Sequence, residues 1–495
     1  MKITDLHIKN FKSISAIELN DIGGFNVVVG YNGYGKTNFL TAIYLFLRNL
    51  SSGIEKKSIE DRNNELLLLW KGYDTSSEMR LGGRVEFTSE ETNKILGKNA
   101  PIILEVENEV KYSGGYAEWS VDRVVINGSP PGKDDLQTIR KIAEYASQHV
   151  EYVPIFDQTY FDETMKRMMD MNSSPINLRR YWYDFVNLVS KTIPEIKGME
   201  FWEGRKLVLN VYDMPIYIDW AASGFQRVLL MLFIIWLSGN KILLVEEPEI
   251  NMHPTLQSKI MKLIKSWTDS GILQAFITTH SPYVVSSNVD SYIVLRRIEG
   301  SSTAVLVKPR DGLKNILSIL KISLSDIVFN RIMILTDYNA EPVVINNWLR
   351  RLNIVPEDTG IQVFKVTSTL ELDNWLKLRR MLKLDTIFLG MCDSIDISLR
   401  EYCVPMSKEV ESYYNKQVLL NVLKNMGISP DDKELKDLGK EENLKWLFNL
   451  MKKRGIDYNQ IRTSIGEMIS QVDTVEIPKE IEILANKIKS IQTLT

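Results

Sequence analysis

The chain has 495 residues, 44% hydrophobic and 25% charged, with a net charge of -3. That length accommodates two or three domains with cores of their own, and the balanced charge excludes a strongly basic nucleic-acid coat while leaving room for a local basic groove. The two cysteines, Cys392 and Cys403, are too few and too isolated for a disulfide framework or a cysteine zinc site, so a reducing cytoplasm is the expected compartment.

The opening MKITDLHIKNFKS alternates as a strand does, unlike a signal peptide, and no later apolar run is long enough to span a membrane. Ile3, Leu6, Ile8 and Phe11, then Ile14, Ile17 and Leu19, predict two strands joined near Lys12 and Ser13. An apolar strand over Phe25–Val29 runs into GYNGYGKTN, and an apolar helix over 39–50 follows. Gly30, Gly35, Lys36 and Thr37 satisfy G-x-x-x-x-G-K-[ST], with the strand before and the helix after that this pattern requires. The chemistry explains the residue types: glycines let backbone N–H groups turn toward a phosphate, and a helix N-terminus favours negative charge. Lys36 reaches the β- and γ-phosphates, and the Thr37 hydroxyl suits Mg²⁺.

Alternating segments at 84–87, 102–110 and 118–126, with SPPGKDD as a turn, predict an antiparallel β lobe beside the nucleotide core, and 66–70 reads as a short apolar segment. A helix is expected over 134–148. In VEYVPIFDQTY, Gln158 is a candidate metal- or water-contacting glutamine, with a plain loop residue as the alternative. Residues 161–200 carry helical spacing that puts Tyr181, Phe185 and Val189 near one face, as core or dimer contact more than a base-stacking platform. Strands are expected at 206–211 and 215–219.

Ala222-Ser223-Gly224-Phe225-Gln226 then opens a hydrophobic helix. A Ser-Gly pair at a helix start offers a hydroxyl and free N–H groups; alone it is a capped helix, but between a phosphate cradle and an acidic strand it becomes a γ-phosphate sensor acting in trans. KILLVEEPEINMHP follows, a buried aliphatic strand whose end delivers Glu246 and Glu247 to one point, suited to a hydrated Mg²⁺ and an attacking water. After an amphipathic helix over 255–267, an apolar strand over 274–278 ends in THSP, which places His280 within reach of a γ-phosphate. His7 and His149 read as structural.

Together, IKNFKS, GYNGYGKTN, SGFQ, LLVEEPEINMHP and TTHSP resemble, in order, the ATP-binding-cassette ATPase heads of the SMC-like and OLD (overcoming lysogenization defect) families, over roughly residues 1–310 with a helical insert around 160–200. The resemblance implies an α/β head with a mixed sheet, an antiparallel lobe, and ATP and Mg²⁺ as cofactors. By that likeness Lys12, Asn32, Gly33, Gly35, Lys36, Thr37 and Asn38 bind nucleotide, and Ser223, Gly224 and Gln226 complete the partner's site. Thr37, Glu246 and Gln158 attend the metal, Glu247 polarises water, and His280 is the switch histidine. Glu246 stands where the broader cassette pattern has Asp. No long heptad run separates the phosphate cradle from SGFQ, so long SMC arms are absent.

Residues 325–495 alternate strand and helix again, predicting a small parallel α/β domain with a helical tail. Acidic residues collect at its strand ends: Asp337, Glu341, Asp393, Asp396 and, later, Glu411, a possible second metal site. The arrangement resembles the Toprim domain of OLD proteins. The departures are Asp337-Tyr338 in place of Glu-Gly, and Asp393-Ser394-Ile395-Asp396 with one residue more than Asp-x-Asp, which disturbs metal geometry. They favour a Toprim-shaped module kept for assembly over a working nuclease.

The expected protein is therefore an ATPase that dimerises head to head on ATP and gates an effector, in anti-phage or anti-plasmid defence or DNA maintenance. Two alternatives stand beside it: a metal-dependent DNA endonuclease regulated by ATP, and a non-catalytic scaffold for a separately encoded effector. Double-stranded DNA is a partner compatible with each, and a membrane is not.

Overall fold

The structure is a computed structural model that describes residues 1–494 apart from 61–64, 133–134, 156–157, 203–205, 222, 238–240, 286–287, 338–339, 439–441 and 474. Ala222, Tyr338 and part of the SPPGKDD turn lie outside the described residues. The chain divides into two compact units, Met1–Gly312 and Leu313–Thr495.

In chain order the first unit contains β1 (Lys2–Phe11), β2 (Ile14–Leu19), β3 (Phe25–Val29), β4 (Ser58–Glu60), β5 (Met79–Phe87), β6 (Ile102–Ser113), β7 (Tyr116–Ile126) and β8 (Val150–Val153). It continues with β9 (Ile196–Trp202), β10 (Lys206–Val211), β11 (Met214–Tyr217), β12 (Lys241–Glu246), β13 (Leu273–Thr278), β14 (Ser291–Ile298) and β15 (Ser301–Val307). Among the described residues twelve of these form one mixed sheet in the order β4-β7-β6-β5-β1-β2-β15-β14-β3-β13-β12-β8.

The two halves of this sheet differ in burial, and the sequence says why. In β3, β12 and β13 the aliphatic runs are covered on both faces, as parallel strands require, with Val27, Val28, Leu243, Leu244, Phe276 and Ile277 all fully buried. Along β1 and β6 burial alternates instead, as in antiparallel strands with one wet face. The expected antiparallel lobe is thus no separate sheet. It joins the parallel half through one ladder pair, Ser302 opposite Ile14, reinforced by Ser302 N–H donating to the Ser13 carbonyl at 2.8 Å. Sequence reading also passed over the β14–β15 hairpin that makes this join, because two apolar strands separated by Glu299-Gly300 carry no chemistry of their own.

Helix Lys36–Arg48 lays Phe39, Leu40, Ile43, Phe46 and Leu47 into the main core. Helices Gln158–Asn172 and Ile176–Thr192 and the separate three-stranded sheet β11-β10-β9 form the insert. Phe185 and Val189 are core, Phe185 meeting Phe233 edge-on at 5.0 Å, whereas Tyr181 is exposed. The segment 66–70 contains the single turn Leu67–Leu69 and ends on buried Trp70, which bridges to Phe11. The strand expected at 215–219 stops at Tyr217 and tightens into the turn Ile218–Trp220.

The second unit holds β16 (Ile332–Thr336), β17 (Ile361–Lys365), β18 (Asp385–Leu389) and β19 (Cys403–Val404), all parallel in the order β17-β16-β18-β19. Helix Pro342–Arg351 packs Trp348 and Leu349 into its core, and the tail helices Asn443–Lys453, Tyr458–Ser470 and Lys479–Leu494 complete it. Cys392 and Cys403, read from the sequence as too few and too isolated for a disulfide framework, are paired as a disulfide. The reason is topological: the ladder sets Phe388 opposite Cys403, so the chain leaving β18 passes the start of β19.

Charge is buried in this unit as well. Arg462 Nη2 donates to Glu411 Oε2 at 3.0 Å, its Nε donates to Oε1 of the same carboxylate, and its Nη1 lies 3.4 Å from Glu341 Oε1. Lys365 also pairs with Glu341, and the Tyr458 hydroxyl donates to Glu411 at 3.0 Å. Two carboxylates face two cations, which offsets the cost of burying Glu411 completely. Burial first, and then the Glu411 charge, push the Tyr414 hydroxyl well above its usual range. Arg462→Met removes the guanidinium from between the carboxylates and is expected to destabilise the unit by about 3–5 kcal/mol. Adding Glu411→Gln should recover part of the loss. Chemical denaturation of the single and double variants measures both, and a single variant as stable as the parent is the contrary result.

Candidate active site

Three parallel strand ends converge in register. Glu246 at the end of β12 stands opposite Thr278 of β13, and Thr278 stands opposite Val28 of β3, so the loops leaving these strands start at one level. From β3 the chain enters the glycine-rich loop. A Cβ on Gly30 would lie 2.7 Å from the Leu295 carbonyl oxygen, and one on Gly35 (φ 91°) would lie 2.7 Å from both the Ser13 and Ser302 hydroxyls. Glycine is required at both by close approach, and at Gly35 by backbone conformation as well. No side chain caps the helix that starts at Lys36, and no acidic residue sits in its first turn, which leaves its amino end suited to an anion.

Lys36 is buried, and its ammonium donates to the carbonyls of Gly30 at 2.9 Å and Tyr31 at 3.4 Å. Burial lowers its pKa to about 8, against the opposing pull of Glu247 and Glu249. Thr37, Asn32 and Gly33 are exposed on the same loop and helix start. Lys12 (φ 48°) is held by its N–H to the Leu69 carbonyl at 2.7 Å; burial lowers its pKa, and the charge of Glu246 raises it. The Asn38 amide donates to the Ser13 hydroxyl at 2.8 Å, and Ser13 in turn bonds Ser302, so in this structure Asn38 fastens the loop to the sheet seam.

On the acidic side, Glu246 is buried, and its Oε1 has no hydrogen-bond partner. Glu247 adopts φ 42°, a left-handed conformation unusual for glutamate, and its N–H donates to the Thr278 carbonyl at 3.1 Å and hydroxyl at 3.2 Å. This turn swings its carboxylate to 3.5 Å from His280 Nε2. Burial and then the neighbouring Glu249 raise the Glu247 pKa, while burial and then Lys36 lower that of His280 to about 4. His280 is therefore a neutral imidazole near pH 7, beside a carboxylate made more basic than usual.

The helix Ser223–Leu237 begins with Ser223 exposed, and Gly224 sits where a Cβ would come within 2.4 Å of the Asn251 carbonyl oxygen. The Gln226 amide donates to the carbonyls of Ile218 at 2.8 Å and Ala221 at 3.2 Å, bracing the preceding turn. Gln158 is likewise turned to its own helix, exposed and donating to Asp162 at 2.9 Å, because helix Gln158–Asn172 begins at this residue. Sequence reading missed Arg227. This buried guanidinium donates to the carbonyls of Pro154 and Glu246, both at 2.9 Å, and lies near Glu246, Glu247 and Glu249. A lone arginine at the head of an otherwise apolar helix was the available signal.

The five carboxylates of the second unit do not come together. Among the described residues no cluster of three or more potential metal ligands is present. Glu341 and Glu411 are occupied by Arg462 and Lys365 as described above. Asp393 and Asp396 are exposed, Asp396 capping the short helix Ile397–Tyr402 through the Ser398 N–H at 3.1 Å, and Asp337 lies against Gly390. The expected second metal site is thus corrected: an arginine stands where acid repulsion would otherwise call for a cation.

The chain is similar to known proteins in part of its length. RecF, the DNA replication and repair protein, of Shewanella halifaxensis is 35% identical over 102 residues, 20% of this chain and 28% of that one. An ATP/GTP phosphatase of Helicobacter pylori is 20% identical over 329 residues, 56% of this chain and 85% of that one. The match thus spans just over a quarter of the first relative's length. A crystal structure of an SMC head bound to the C-winged helix domain of ScpA aligns with 63% of this chain and all of that one, at 16% identity and a TM-score of 0.46. The family model for the AAA ATPase domain matches residues 1–113 and 89–285, more than half of the chain, and the chain belongs to that family.

Proposed function

We propose that this protein binds and hydrolyses ATP at the converging ends of β3, β12 and β13, as a nucleotide-dependent homodimer whose ATP state gates a partner. The observation that carries the reading is the meeting of Lys36, Glu247 and His280 beside an uncapped helix start. In the mechanism, ATP phosphates lie on the N–H groups at Gly35–Thr37, and Lys36 leaves the Gly30 carbonyl to neutralise the γ-phosphate. Thr37 and Glu246 would hold Mg²⁺, a role that fits the buried, unpartnered Glu246 Oε1. When bound, the ion supplies neutralisation of charge on the phosphate oxygens.

Glu247 accepts the proton of the attacking water as the water oxygen bonds the γ-phosphorus and ADP leaves; burial and the neighbouring Glu249 raise its pKa, which makes it a better base. Neutral His280 hydrogen-bonds the γ-phosphoryl oxygens. The exposed Ser223 and adjoining Gly224 complete the site of a second copy, which makes ATP the adhesive between two heads. Double-stranded DNA and a separately encoded effector are the proposed partners, in defence against phage or plasmid or in DNA maintenance, and similarity to DNA repair proteins supports the DNA setting. The cytoplasm is the proposed compartment; among the described residues no helix is long and apolar enough to cross a membrane.

Lys36→Ala is expected to lower ATP turnover by about 10²-fold or more, measured as phosphate release. Unchanged release removes the ATPase reading. Glu247→Gln should slow hydrolysis by about 10²- to 10⁴-fold and accumulate an ATP-bound dimer, seen as a doubling of mass in light scattering. The Arg462 arrangement opposes the nuclease alternative: with Mg²⁺ or Mn²⁺, with or without ATP, plasmid DNA should remain uncut, and metal-dependent nicking that Asp393→Ala abolishes would restore that alternative.

A further inference from the structure

The segment between Glu247 and Met252 does more than carry the catalytic acid. Glu249 turns back across it, and its Oε1 accepts three hydrogen bonds from the neighbouring loop: the Thr279 hydroxyl at 2.8 Å, the His280 N–H at 2.7 Å and the Ser281 N–H at 3.2 Å. Its other oxygen, Oε2, is buried without a hydrogen-bond partner. The Ser281 hydroxyl is held in turn by Gln257 at 2.6 Å, and Gln257 donates to the Met252 carbonyl at 2.9 Å, so the two loops are stitched at both ends.

Resting on the ATPase reading above, we propose that Glu249 is a positioning residue: its Oε1 gathers the Thr279–Ser281 backbone and so fixes the His280 imidazole against the Glu247 carboxylate. Geometry makes the acceptor indispensable. Glu247 is already held in a left-handed turn, and its position is set by β12. His280 follows β13, and Glu249 supplies three hydrogen bonds across the gap between the loops. The same segment touches the helix that begins at Ser223, where Asn251 presses its carbonyl on Gly224 and Arg227 donates to the Glu246 carbonyl. A second copy that meets Ser223 therefore acts on the rigid segment that Glu249 ties to His280, which gives the contact a route to the hydrolytic pair.

The test separates acceptor geometry from charge and from folding. Glu249→Gln keeps a carbonyl acceptor in place of Oε1 but removes a charge that raises the Glu247 pKa, so a loss of kcat of no more than about tenfold is expected, whereas Glu249→Ala should lower kcat by on the order of 10²-fold with KM for ATP nearly unchanged. Thr279→Val, which removes one of the three donors at constant shape, should give a smaller loss of the same kind and stands in for Glu249→Ala if that variant does not fold. Full kcat in both Glu249→Ala and Thr279→Val, or equal losses in Glu249→Gln and Glu249→Ala, would overturn the assignment while leaving the ATPase reading intact. A wild-type protein that releases no phosphate overturns both.

Discussion

Glu246 opposite Thr278, and Thr278 opposite Val28, is the register from which the site follows. A strand shifted by one residue turns every side chain to the other face of the sheet, and these three strands are buried on both faces, so the pairing is held by a large apolar penalty against slippage. Because β3, β13 and β12 are adjacent and parallel, their carboxyl ends point the same way. The glycine-rich loop, an imidazole and two acids thus share one edge although they lie far apart along the chain. The narrow Ser13–Ser302 seam sits beneath Gly35, which ties the loop to the joint between the two halves of the sheet.

Electrostatics at that edge is a balance of buried charges. Glu246, Glu247 and Glu249 lie near one another, and the charges of Lys36 and Arg227 oppose them. The balance has two chemical consequences. Burial lowers the Lys36 pKa against the pull of Glu247 and Glu249, and burial with the neighbouring Glu249 raises that of Glu247. Arg227 adds a mechanical role, since one guanidinium joins the helix from Ser223 to the ends of both β8 and β12.

The second unit solves a similar problem differently. Its parallel sheet also brings acids to strand ends, yet Arg462 reaches in from the tail helices and pairs with Glu411 and Glu341. Buried carboxylates left alone would repel one another or attract a cation; here the cation is covalently part of the chain. These two buried carboxylates are consequently neutralised from within the unit.

Much of the first unit was legible because its signals are local. The Gly30–Thr37 spacing, the aliphatic run into Glu246 and Glu247, and the strand before His280 each declare an element and its end within a dozen residues, and period and punctuation suffice for that. The hydrogen bonds of Gln226, Asn38 and Gln158 were not legible, for the opposite reason: a side-chain amide serves a ligand, a carboxylate or a backbone carbonyl equally well, and only folding supplies the neighbours. Arg227, Glu249, the Cys392–Cys403 pair and Arg462 belong to the same class, each defined by a partner distant in sequence or by a strand pairing. The sequence alone determined which strands and loops carry the chemistry; tertiary structure decided which charges meet, because burial and distance set the energy of a charge and neither is a property of a residue in isolation.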